Sequence, residues 1–324
     1  MKSILQSLKA IVVISAVIGV ITFWWHKKSN SHKDGLRIGV VQFISHPALD
    51  RACFGFIKQL QEKLGDKISC VVQNAEGSML STQGIVQRFH ADKNIDGIFA
   101  IATPAAQAAH AVEHTKPIFI AAVTDPRAAG LLHQGSNVCG SSDMIDARGL
   151  VNVLTQLVPS AQRVGIIFNP GEINAVTLAS IMRESLLNKG CQVLDVGLSE
   201  GGDINLAVHS ACNKVDALIA PTDNTVASSI QIIAQAAKLK KIPLIVSDNL
   251  LVSQGALAAC GLEYEESGRN AADCAIDVLM HGKNPADLEI KKPSGDRIVV
   301  NKVVLQQLSL TVPESLMPRV TFVE

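Results

Sequence analysis

From Arg37 onward the hydrophobic pattern alternates between two kinds of stretch. Short runs rich in Val and Ile carry almost no polar interruption: "RIGVVQF", "ISCVVQN", "DGIFAIA", "PIFIAAV", "RVGIIFN", "CQVLDVG", "DALIAPT" and "PLIVSD". Between them lie segments whose apolar residues recur at helical spacing, such as "GFIKQLQEKLG" and "LVNVLTQLV". Near-continuous apolar strands separated by helices are buried on both faces, which predicts parallel sheets covered by helices.

The pattern also repeats. "LRIGVVQF" is answered by "QRVGIIFN", "DGIFAIATPAAQAA" by "DALIAPTDNTVASS" and "KPIFIAAVTD" by "KIPLIVSD". The spacing between partners stays near about 120 residues, which predicts two similar units. The expected fold is therefore α/β, with two similar doubly wound parallel-sheet lobes. A hinge is expected near "VCGSSD" at 138–143, where the second series begins. Ligands of such sheets bind in the crevice outside the carboxyl ends of the strands, here the cleft between lobes.

One stretch, "DGIFAIATPAAQAAHAVEH" (96–114), shows how such a cleft is built. An apolar strand stops at Thr103-Pro104 and an alanine-rich helix starts at once. Thr103 is expected to cap that helix and Pro104 to occupy its first position. Ala105 and Ala106 leave the helix N–H groups uncovered, as an anion-binding N-terminus requires. The matching place in the second half reads "PTDNTVASS", with Thr222, Asp223 and Asn224. One lobe would then offer helix N–H groups to a carboxylate and the other Asp223 to a cation, which suits a zwitterion such as an α-amino acid. The plainer alternative is a pair of ordinary capped helices, with Asp223 itself a cap.

Composition narrows the function. The 324 residues suffice for two domains with a small appendage. Apolar residues make up 48% and charged residues 18%, so the chain is built to fold. Lys+Arg and Asp+Glu balance at 29 each and no basic run tracks a phosphate backbone, which argues against nucleic acid as partner. The 7 cysteines are scattered without a CxxC, so they read as small buried apolar residues rather than metal ligands. Unpaired thiols sit awkwardly with export to an oxidising compartment.

Export is what the N-terminus suggests. "AIVVISAVIGVITFWW" (10–25) follows Lys2 and Lys9 and precedes the polar "HKKSNSHKDG". This is the layout of an export signal, without a clear small-residue cleavage site and without a Cys for lipidation. Trp24-Trp25 and Lys27-Lys28 suit a membrane interface. The expectation is an uncleaved helix anchoring a periplasmic or otherwise extracytoplasmic body to the inner membrane. A cleaved signal is the alternative.

The residues also resemble a known family. "IGVVQFISHPALDRACFGFIKQL", "QNAEGS", "IATPAAQAA", "AVTDP", "FNPGEINA", "PTDNTVASS" and "GALAACGLEYEESGRNAADCAIDVLMHGKNPADLEI" occur in order from about residue 36 to 310. They look like the extracytoplasmic substrate-binding proteins of a tryptophan/tyrosine-type ABC uptake system. The resemblance implies a type I periplasmic-binding-protein fold with three crossovers. The first lobe would take 36–141 plus about 263–285, and the second 142–262 plus about 286–324, after a segment 1–35. It implies a bound aromatic amino acid, handed to an ABC permease and its ATPase, with no cofactor, no metal and no enzymatic reaction. Its cleft-facing motifs fall on Gln42, Phe43 and His46, on Thr103, Pro104 and Ala105, and on Thr124 and Asp125. In the second half they fall on Asn169, Glu172 and Asn174, on Thr222, Asp223 and Asn224, and on Asp248 at the rim. Phe43 would face a ligand ring or sit in the core, and Asp223 would meet the ammonium group.

Other readings are weaker. "HAVEH" (110–114) fits the H-x-x-E-H pattern of a zinc-peptidase class, but His110, Glu113 and His114 fall at the far end of their helix without a third ligand. No G-x-G-x-x-G occurs, and Ser228-Ser229 has no placed His partner for a nucleophilic hydrolase. A LacI-like repressor would need a DNA-binding headpiece where the apolar segment stands. A membrane-tethered ligand-sensing module of the same fold remains the competing function, because fold alone does not choose between transport and sensing.

Overall fold

The structure, a computed structural model, describes residues 35–199, 202–295 and 297–324. The N-terminal segment and its expected anchor lie outside them. Among the described residues no helix is long and apolar enough to cross a membrane. Arg37–Glu324 forms one compact unit containing two sheets.

The first sheet is built from β1 (Leu36–Gln42), β2 (Ile68–Asn74), β3 (Gly97–Ile101), β4 (Ile118–Val123) and β5 (Val138–Ser142) in the order β2-β1-β3-β4-β5. The ladders β1/β3, β3/β4 and β4/β5 are parallel. Helices α1 (Pro47–Leu64), α2 (Met79–Ala91) and α3 (Thr103–Val112) connect them. Strands β3 and β4 are buried at every position, as their unbroken apolar runs demand.

The second lobe begins with α4 (Ala147–Leu157), capped by the Asp146 carboxylate accepting from the Gly149 N–H. It continues through β6 (Arg163–Phe168), α5 (Ile173–Asn188), β7 (Gln192–Gly197), α6 (Ile204–Cys212), β8 (Ala217–Ala220), α7 (Asn224–Ser228), α8 (Ile230–Leu239), β9 (Leu244–Val246) and β10 (Ala258–Cys260). After β10 the chain forms α9 (Tyr264–His281), which packs along α1 and against β4 and β5. It then returns as β11 (Ile298–Asn301), α10 (Lys302–Gln307) and β12 (Val320–Val323). The second sheet runs β12-β11-β10-β9-β8-β6-β7, with β11 antiparallel to β10 and parallel to β12. Two apolar cores lie on its two faces, one around Leu150, Leu178 and Ile298, the other around Val208, Ile233 and Val252.

The chain thus passes between sheets after β5, after β10 and after α9, and these passages are laced together. The Ser142 N–H donates to the Lys291 carbonyl and the Lys291 N–H to that of Gly140. The Glu263 N–H donates to the Ser294 carbonyl. The stretch expected as a hinge at 138–143 is strand for its first five residues, and the crossing follows directly. None of the 7 cysteines, all among the described residues, is in a disulfide, and Cys53, Cys139, Cys191, Cys212 and Cys274 are buried, as small apolar residues would be.

Candidate functional site

The carboxyl ends of both sheets meet around a narrow cavity. It is lined by His46, Leu49, Ala122, Asp143 and Tyr264 from the first lobe, the crossing and the start of α9, and by Asn174, Thr222, Asp223, Asn224, Ser247 and Asp248 from the second. Its free space is only about 20 Å³, room for a water. A second cavity of about 170 Å³ lies beside it, lined by Phe43, Glu76, Asn169, Glu172, Thr225 and Ser228, with Asn224 common to both.

The lobes touch at His46, whose ring Nε2 lies 3.2 Å from Asn224 Oδ1. The Asn224 amide is oriented by Glu172, whose Oε2 accepts from Asn224 Nδ2 at 2.5 Å. Asn224 Oδ1 is therefore the acceptor toward His46, and His46 Nε2 donates. Burial holds the His46 pKa down at about 4, so the ring is neutral at pH 7. Its Nδ1 is then a bare lone pair, buried and without a partner. Two more buried oxygens lining the cavity, from the second lobe, lack partners: Asn174 Oδ1 and Asp248 Oδ2. Asn174 uses its Nδ2 on the Thr222 carbonyl at 3.0 Å, and Asp248 uses Oδ1 on the Leu250 N–H at 2.9 Å.

The floor of the cavity is the crossing itself. Asp143 accepts from Thr124 Oγ1 at 2.9 Å and from Tyr264 Oη at 3.0 Å. Burial pushes the Asp143 and Tyr264 pKa values up. Asp248 is pushed up to about 7, first by burial and then by the neighbouring Asp143 charge. Burial, with the nearby Glu172 carboxylate, raises Asp223 as well. Among the described residues, three aspartates and no Lys or Arg line this cavity.

Of the residues singled out from the sequence, His46, Asn174, Thr222, Asp223, Asn224 and Asp248 are brought together in the inner cavity, and Phe43, Asn169 and Glu172 in its neighbour. The others line neither. Gln42 donates to the Ile44 carbonyl and to Asp50 Oδ1. Thr124 stands behind Asp143, and Asp125 closes its own turn by accepting from the Arg127 and Ala128 N–H groups. Thr103, Pro104 and Ala105 form the buried first turn of α3. Thr103 is not the cap expected from the sequence. It is the first helical residue and Pro104 the second, because Ala102 at φ 83° turns the chain and takes the cap position without a side-chain bond. The Thr103 hydroxyl is buried without a partner, and the first turn of α3 holds no acidic residue. Strand β3 lies between β1, which leads into His46, and β4, which supplies Ala122. The carboxyl end of β3, where α3 starts, therefore lies between the two strand ends that lead to the cavity.

Asp223 does serve as a cap. Its Oδ1 accepts from the Val226 N–H at 2.8 Å and its Oδ2 from the Asn169 N–H at 2.6 Å. Glu172 accepts from the N–H groups of Asn224 and Thr225, so α7 meets two carboxylates where α3 meets none. The sequence reading missed Asp143, Tyr264 and Ala122. Asp143 and Tyr264 sit at lobe crossings, and no local pattern reveals that the two crossings meet. Ala122, at φ 55°, is backbone held in a costly region, of the kind that collects at functional sites.

The H-x-x-E-H motif is not a peptidase centre. Glu113 is fully buried and accepts from the Thr115 and Lys116 N–H groups and from His90 Nδ1. Burial alone would raise its pKa, but these bonds outweigh it and bring it to about 2. It locks the turn after α3.

Two α/β lobes closing on a polar cavity define a type I periplasmic-binding-protein fold. Residues 37–323 match the family described as ABC transporter substrate binding protein, and the chain belongs to that family. Its members bind solutes rather than transform them, and they work outside the cytoplasm. A "Tyrosine-binding protein" of Clostridioides difficile (strain R20291) is 38% identical over 292 residues, 88% of this chain and 84% of the relative. A Streptococcus pneumonia ABC domain solved in complex with L-Trp is 30% identical and covers 90% of this chain and 100% of its own, with a TM-score of 0.85. The ligand-free, open structure of a Clostridium difficile substrate binding protein with adhesive properties is 35% identical, covering 89% of this chain and 99% of its own, yet its TM-score is 0.66. The more similar sequence has the less similar shape. The structure is more similar to the L-Trp complex than to the open form.

Proposed function

We propose that this protein captures a small zwitterion, an aromatic amino acid, in its interlobe cleft and delivers it to an ABC permease driven by an ATPase. One observation carries the reading. Three buried, unpartnered polar atoms, His46 Nδ1, Asn174 Oδ1 and Asp248 Oδ2, the last an acceptor once its carboxyl is ionised, line one cavity that among the described residues holds three aspartates and no cationic side chain. Buried acceptors left bare are costly, and together they call for a donor with several N–H groups and a positive charge. An α-ammonium group supplies three N–H donors. The ligand carboxylate is assigned to the start of α3, with the uncapped N–H groups there and the unpartnered Thr103 hydroxyl. The ring is assigned toward Phe43 in the adjoining cavity. The names of the relatives, one tyrosine-binding and one bound to L-Trp, support the aromatic class.

The free space is far smaller than an amino acid, so entry requires the lobes to part at the crossings. Ligand bridging both walls favours the closed arrangement, because only there are both sets of contacts made. An uncleaved N-terminal helix would keep the protein beside its permease. The test is a calorimetric titration of ligand-stripped protein against the twenty amino acids. L-Trp, L-Tyr or L-Phe is expected to bind with micromolar or tighter affinity. No binding by any amino acid would overturn the ligand class.

A further inference from the structure

At the end of α3 remote from the cleft, His110 meets His133, which stands in the exposed loop between β4 and β5. Their Nε2 atoms face each other at 3.3 Å, and the rings lie 5.2 Å apart between centroids, tilted by 48°. His133 Nδ1 lies 3.1 Å from the Gln134 carbonyl oxygen. A carbonyl only accepts, so His133 Nδ1 carries the proton and its Nε2 presents a lone pair to His110. A backbone carbonyl on the far nitrogen is the arrangement that orients metal-binding imidazoles. The separation fits as well. Tetrahedral zinc with Zn–N bonds of about 2.0–2.1 Å sets its ligands about 3.3–3.4 Å apart. No carboxylate of the H-x-x-E-H motif competes for this place, because Glu113 is committed to the turn behind it.

We propose that His110 and His133 form a two-histidine site for a transition-metal dication of the zinc class on the first lobe, tying the 131–136 loop to α3. Among the described residues no three metal-binding side chains gather at one point, so water completes the coordination. His114 is the nearest further imidazole, its ring 6.3 Å from that of His110 and edge-on to it. The site lies about 10 Å along the helix from Thr103, by a rise of 1.5 Å per residue. It is therefore independent of the amino-acid cleft.

The test is zinc titration of the full chain in competition with a chromophoric chelator, beside His133→Ala and His110→Gln. His26 and His32 give the same background in all three proteins. The wild type is expected to hold one more zinc equivalent than either variant, with at least tenfold higher affinity for it. Zinc is expected to raise the melting temperature of the wild type and not that of His133→Ala, whose substitution is at an exposed position. Aromatic amino-acid affinity should be the same with and without zinc. Equal zinc binding by wild type and His133→Ala would overturn the proposal and leave an N–H···N hydrogen bond between the two rings.

Discussion

At the residue scale the decisive contrast is between two aspartates in one wall. Asp223 spends both oxygens on backbone N–H groups, while Asp248 keeps one buried oxygen bare. The sequence placed both at the cleft but pointed to Asp223 for the ammonium, because a motif shows position and not which lone pairs are already used. Asp248 has a folded-state pKa near 7 against about 3.9 in an unfolded chain. The folded protein thus binds more protons, and its ligand-free stability falls as pH rises from about 4 through 7, by on the order of a few kcal/mol. Asp143 and Asp223, also raised, add to that slope with the same sign. Asp248→Asn should flatten the profile and raise the melting temperature at pH 8, and should weaken amino-acid binding by about 2–5 kcal/mol. Denaturation across pH and calorimetry read both effects. An unchanged pH slope with unchanged affinity would remove Asp248 from the site.

At the element scale, strands carrying a Val- and Ile-rich run were legible almost to the residue. "ISCVVQN" is β2 without remainder, and "PIFIAAV" contains β4. Strands without such a run were not. β5 reads Val-Cys-Gly-Ser-Ser and β10 has three residues, so neither carries a periodic signal, and both are held by their neighbours in the sheet. The seat of α9 on α1 was likewise beyond local pattern. It depends on glycines: a Cβ on Gly268 would come within 1.9 Å of the Ala52 carbonyl oxygen, and one on Gly55 within 2.1 Å of that of Glu265. The two backbones touch there. Gly268→Ala is expected to cost about 1–3 kcal/mol or more through overpacking. A thermal melt of that variant should show a loss of several degrees. An unchanged melting temperature would mean that the helices are not in backbone contact.

At the scale of the whole molecule, the internal repeat predicted two lobes, and the closure between them decides the chemistry. The stretches "ATPAA" and "PTDNT" predict a charge asymmetry between the lobes; in the structure α3 starts without a carboxylate and α7 starts against two, with Asp223 in the capping role of the plainer alternative. His46, Asn174 and Asp248 were each singled out from the sequence, but how they combine with the crossings was not legible, because those contacts join residues distant in sequence. Asp143 and Tyr264 meet only when the first two crossings lie side by side, and His46 meets Asn224 only across the closed cleft. The same bridge fixes the His46 tautomer, so closure itself creates one of the three bare acceptors. The most direct measurement compares, by calorimetry at pH 8, the best-binding L-aromatic amino acid with its N-acetyl derivative. The acidic cleft predicts at least a hundredfold loss of affinity when the ammonium is acylated. Equal affinity for the two would contradict it.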